Sequence, residues 1–140
     1  MNTAIFYPVL AQMIFTIILL LRMSWVRRQA LIARKTTYAD IALDASRWPE
    51  DALKSANSYG NQFELPVLFY VLCLMAYQTA AAGHLMVLLA WGFVASRVVH
   101  AYIHSTSNYV PRRAMAFGVG LLIVMAMIGL LLVHLLAAGA

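Results

Sequence analysis

The sequence is short of charge, short of acid above all, and nearly without sulfur chemistry. Five Asp and Glu stand against ten Lys and Arg in 140 residues, and charged residues make up only 11% of the chain. A soluble domain carries about a quarter charged residues, so a water-covered globular surface is excluded. The single cysteine, Cys73, cannot form an internal disulfide, and its apolar neighbours make it a packing residue. No Arg/Lys-rich arm with interleaved aromatics is present, so the net charge of +5 does not point to nucleic acid. Internal repeats and low-complexity linkers are lacking as well, which leaves one domain over residues 1–140.

What the sequence has is long apolar runs. Hydrophobic residues make up 64% of it, and a spanning helix needs about 20 in a row. Four stretches qualify, at about 5–26, 63–82, 85–103 and 114–138. The expected fold is therefore an all-α integral membrane four-helix bundle. No basic residue precedes the first run, and Arg27 and Arg28 follow it, which argues against a cleaved signal peptide.

Four spans put the 27–60 and 104–113 loops on one side. Both termini and the turn near Ala82–His84 fall on the other. Every Lys and Arg, from Arg22 to Arg113, lies on or near the first side. The bias of basic residues toward the cytoplasm then places both loops inside and both termini outside. In the longer loop, RWPEDALKSANSYGNQFE reads as a helix start, with Pro49 at the first helical position and Glu50 and Asp51 in the first turn. That helix is expected to run unbroken into the second span and to kink at Pro66, which removes the hydrogen bond to the Gln62 carbonyl.

Polar residues recur on these helices at helical spacing. Lys54, Asn57, Asn61 and Glu64 are 3, 4 and 3 apart, which puts them on one face. Arg97, His100 and His104 follow the same rule at 3 and 4. Arg22 lies about one turn before the cytoplasmic end of the first span. Pro111, Arg112 and Arg113 open the last span, so two guanidinium groups stand at the positive end of a helix dipole. All four sets lie at one depth. Ionised side chains within a membrane are costly and face a bundle interior or a wet cavity. A shared polar pocket with a cationic excess follows, suited to an amphiphile with an anionic head and an apolar tail.

Other readings stand beside it. Glu64 and Arg97 form a structural ion pair; Arg22, Arg112 and Arg113 snorkel to lipid phosphates; His100 and His104 bind a metal with Glu64 as third ligand. On the opposite side, His84 and His134 read as interfacial polar residues. Tyr7, Trp25, Tyr77, Trp91 and Tyr109 read as interface anchors.

The ordered set of motifs resembles the MAPEG family, the membrane-associated proteins of eicosanoid and glutathione metabolism. The resemblance covers nearly the whole chain. It is carried by Asn61-x-x-Glu64-x-Pro66, Arg97-x-x-His100-x-x-x-His104 and Arg113-x-x-x-Phe117. RVVHAYIH is similar to the third-helix stretch of the prostaglandin E synthase branch. NQFELPVLFY looks closest to small bacterial members, which implies a bacterial inner membrane.

The resemblance implies a homotrimer in the lipid bilayer that binds glutathione in clefts between subunits, near the cytoplasmic face, with a small lipophilic substrate. It implies that Asn61 and Glu64 hold the polar backbone and amino group of glutathione, that Arg97 supports the glutamate, and that His100 contacts glutathione. Arg113 matches the arginine near the thiol, and Arg22 the arginine of the first helix. Asn57 takes a position where the enzymes often carry arginine, and Lys54, one turn earlier, substitutes in part. Leu65, His104 and Phe117 stand where synthases of the family carry tyrosine. The glutathione thiol has a free pKa near that of Cys, about 8.5, and an arginine with a helix N-terminus beside it stabilises the thiolate. The implied activity is a glutathione-dependent transferase or peroxidase acting on lipophilic electrophiles or lipid hydroperoxides. The family also holds non-catalytic members that bind lipid or protein partners.

Overall fold

A computed structural model describes residues 2–139. Among them there is no strand, and the chain is a set of packed helices. A turn of 3-10 helix at Thr3–Ile5 leads into α1, Phe6–Ile32. A short helix α2, Tyr38–Ile41, interrupts the connecting loop, and α3 runs over Glu50–Gly60. Then come α4, Leu65–Gln78; α5, His84–Ser105; and α6, Val110–Ala138. Three helical stretches are long and apolar enough to cross a membrane: Thr3–Ile32, His84–Ser105 and Val110–Ala138. In α5, 44% of the apolar window is buried, against 22% in the other two, so α5 is the central helix and α1 and α6 present most of their surface outward. Ile14, Ile17 and Leu21 of α1 and Leu122, Met125 and Val133 of α6 are all more than half exposed, as lipid-facing side chains are.

The expected second span differs from the plain helix read from the sequence. The helix that begins after Pro49 stops at Gly60. Asn61–Phe63 form a 3-10 turn, Glu64 leaves helical geometry at φ −100° and ψ −105°, and α4 begins at Leu65. Pro66 therefore does not kink a continuous helix. It sits in the first turn of a new one, where the missing N–H has no helical acceptor to lose. At 14 residues α4 rises only about 21 Å, less than the roughly 30 Å of a hydrocarbon core. The break has a second consequence. In a continuous helix the carbonyl of Asn61 would accept from the amide of residue 65. Here it is free, and the Arg97 guanidinium donates to it at 3.1 Å.

The turn is tied to α1 by two buried glutamines. Gln12 Nε2 donates to Gln62 Oε1 at 3.0 Å, and Gln62 Nε2 donates to the Ser58 carbonyl at 3.0 Å. Below it, Phe69 of α4 stacks on Phe93 of α5 with ring centroids 4.4 Å apart. α6 closes on α5 at Gly120, where an added Cβ would meet Ser96 Oγ at 2.9 Å. Close approach at a small residue is the usual way for helices to pack where no hydrophobic effect drives them together. It brings the first turns of α6 against the last turns of α5.

Candidate functional site

Two adjoining recesses open where the 61–64 turn, the end of α5 and the start of α6 meet. One, of about 380 Å³, is lined by Asn57, Asn61, Glu64, His104 and Arg113, with Ala56 and Gly60. The other, of about 300 Å³, is lined by Asn61, His100, His104, Arg113 and Phe117, with Val110 and Ala114. Asn61, His104 and Arg113 belong to both and form the common wall.

Asn61 Nδ2 donates to the Asn57 carbonyl at 2.9 Å and lies 3.4 Å from His104 Nδ1. His100 stands edge-on to His104 and to Phe117, with centroids 5.7 and 5.9 Å away. It is 3% exposed, and neither ring nitrogen has a partner. Arg97 is fully buried behind this wall, with its Cζ 5.9 Å from the Phe117 ring centre. Its Nη2 reaches the Asn61 carbonyl, while Nε and Nη1 have no partner. Buried donors without acceptors are rare and call for an explanation. Here they cluster behind a recess that could admit an acceptor.

Among the described residues Glu64 and Arg97 make no ion pair. The structural pair considered from the sequence is not formed. The helix break turns Glu64 outward, where it is exposed, and Arg97 binds the backbone of the same turn instead. No group of three His, Cys, Asp or Glu among the described residues is placed to hold a metal. Three other candidates lie elsewhere. Arg22 donates to Ser55 Oγ at 3.0 Å and to the Ser105 carbonyl at 3.2 Å, lining a separate recess with Trp25, Lys35 and Asp51. Lys54 pairs with Glu50 at 2.6 Å one helical turn back. Arg112 is exposed and leans on the Tyr109 ring, 5.7 Å from its centre. At the far end, His134 Nε2 lies 2.8 Å from the Thr79 carbonyl and ties α6 to the end of α4.

The residue that holds Arg113 was missed from the sequence. Asn108 Oδ1 accepts from Arg113 Nη1 at 2.6 Å. A hint was present: Asn tolerates left-handed backbone and favours turns, and this one lies between the end of one apolar helix and the Pro111 that opens the next.

The fold and this site define a class: a membrane-type helical protein with a cationic and amide-lined pocket at the arginine-bearing end of its helices. The chain matches the model of the MAPEG family over residues 5–133, and it belongs to that family. Comparison with curated proteins and with solved structures gave no match.

Proposed function

We infer that the paired recesses bind glutathione and that the protein is a glutathione-dependent transferase or peroxidase. Its second substrate is a lipophilic electrophile or a lipid hydroperoxide that enters from the bilayer. The observation that carries this reading is the position of Arg113. Its guanidinium lies in the first turn of α6, beside His104, Asn61 and Glu64, around one opening. That turn has no acidic residue. A cation at a positive helix end is unfavourable unless an anion joins it.

The chemistry of the lining fits glutathione group by group. Glutathione brings two carboxylates, one ammonium, two amides and a thiol. Glu64 is the one carboxylate of the lining and suits the ammonium. The amides of Asn57 and Asn61 suit the peptide groups. Arg113 suits the thiolate, and the unpartnered donors of Arg97 and His100 suit an anionic or carbonyl oxygen that reaches the inner wall. Bound as thiolate, glutathione would supply the nucleophile for attack on carbon or on a peroxide oxygen. The family carries the same reading, since it includes glutathione-dependent transferases and peroxidases. We take the basic loops as cytoplasmic, residues 63–82 as the remaining crossing, and the assembly as a homotrimer, in keeping with the family.

A second reading is a non-catalytic relative that binds lipid or a membrane partner. Phe117 favours it. The ring forms an apolar wall of the second recess, at a position where the resembling synthases carry a tyrosine hydroxyl. Calorimetry of glutathione binding to detergent-purified protein, with an ultraviolet scan for thiolate absorbance, separates the two. Binding with a thiolate band supports the enzyme; absence of binding at millimolar glutathione supports the non-catalytic relative.

A further inference from the structure

Arg113 stands in a place that does not hold a cation by itself. The α6 dipole repels a guanidinium in the first turn, and no acidic residue in that turn offsets it. Its neighbour Arg112, in the same turn, is exposed and rests on the Tyr109 ring. Arg113 instead lines both recesses. Building on the glutathione reading above, we propose that Asn108 is a positioning residue that aims Arg113 at the bound thiolate.

Three observations carry this. Asn108 has φ 49°, in the left-handed region, which Asn tolerates better than most residues. Its backbone N–H donates to the Ile103 carbonyl at 2.8 Å and closes the last turn of α5. The backbone is thus fixed from one helix while the side chain reaches the next, where Oδ1 accepts a hydrogen bond from Arg113 Nη1 at 2.6 Å. That is a short contact, as charge-assisted hydrogen bonds are. The acceptor is also neutral. An aspartate would hold the guanidinium as well but would cancel its field at the pocket. A carboxamide fixes the group and leaves its full charge for the thiolate. The α5–α6 link, otherwise a plain connection, thereby sets the geometry of the site.

The test uses Asn108→Gly and Asn108→Asp in the full chain, purified in detergent, beside the wild type and Arg113→Ala. Glycine keeps the left-handed backbone and deletes the acceptor. Aspartate keeps the acceptor and adds the opposing charge. Each protein is titrated with glutathione by calorimetry, and the thiolate band is followed against pH. Asn108→Gly is expected to raise the thiolate midpoint by about one pH unit, part of the way toward Arg113→Ala, with affinity kept below the midpoints and weakened up to about tenfold above them. Asn108→Asp is expected to raise the midpoint as well, although its loop is intact. A purely structural link would change the melting temperature and leave the midpoint alone. Wild-type midpoints in both Asn108 variants, with a raised midpoint in Arg113→Ala, overturn the positioning role and leave the glutathione reading standing. A wild-type midpoint in Arg113→Ala, or no binding by the wild type, overturns the thiolate role of Arg113, and the role of Asn108 falls with it.

Discussion

The Arg97 guanidinium donates to the backbone carbonyl of Asn61 at 3.1 Å and makes no ion pair with Glu64. The helix break at 61–64 causes both facts. It frees the carbonyl and turns the carboxylate outward. Two nitrogens of a fully buried guanidinium are then left without acceptors.

Glu64 can therefore be tested apart from stability. Removing one member of a buried ion pair costs about 3–5 kcal/mol, whereas an exposed, unpaired carboxylate costs almost nothing. Glu64→Gln should shift the melting temperature of the ligand-free protein by less than about 2 °C. Its affinity for glutathione should fall about tenfold or more, since the ammonium loses its charged partner. A large loss of ligand-free stability would show that Glu64 is paired within the fold.

Helix packing at Gly120 gives a second prediction. A Cβ there meets Ser96 Oγ at 2.9 Å, and that hydroxyl is already bound to the Phe93 carbonyl at 2.7 Å. Gly120→Ala should destabilise the protein by about 1–3 kcal/mol through overpacking. Adding Ser96→Gly should recover part of it in a double-mutant cycle of melting temperatures. Additive losses would place the strain elsewhere.

The wall shared by both recesses predicts a tautomer. Asn61 Nδ2 donates to a carbonyl, which only accepts, so the amide is oriented with its –NH₂ toward His104 Nδ1. Nδ1 must then accept, and the neutral ring carries its proton on Nε2. Nitrogen chemical shifts of labelled His104 should show the Nε2–H form in the wild type and the Nδ1–H form in Asn61→Asp, where the partner is acceptor-only. An Nδ1–H signal in the wild type would contradict the arrangement.

Acid should loosen one loop before the helices. Hydrogen bonds from the Thr37 hydroxyl and amide hold the Asp40 carboxyl below its ordinary 3.8, and those from the Ser46 hydroxyl and amide do the same for Asp44. A depressed carboxyl supports the fold fully above 3.8, and that support is lost as pH falls through the lowered values. Protection of the amides over residues 37–47, taken relative to their intrinsic exchange rate at each pH, should fall on acidification below that range, while α5 stays protected. Unchanged protection there would mean the capping contacts do not hold the loop.

The helical class and much of the lining of the candidate recesses were legible in the sequence, because apolar length and helical spacing survive folding. Asn57, Asn61 and Glu64 do line one recess, and His100 and His104 do share a face. Lys54, about two turns before the break, shares the helix with Asn57 but pairs back to Glu50 instead of reaching the pocket. Arg22 lies at the expected depth but on the other side of α3, since depth along a helix says nothing about which neighbour it meets. The Arg97–Asn61 contact was hidden because it needs a backbone carbonyl that only an interrupted helix exposes. Asn108 was hidden because its role depends on where two helices end, not on any spacing within one.

The most direct test is the thiolate band of glutathione bound to the wild type and to Arg113→Ala, each at saturating glutathione near neutral pH. The proposed site predicts a clear band in the wild type and its loss in Arg113→Ala, with expression and assembly unchanged. An equal band in both proteins, or none in the wild type, would contradict it.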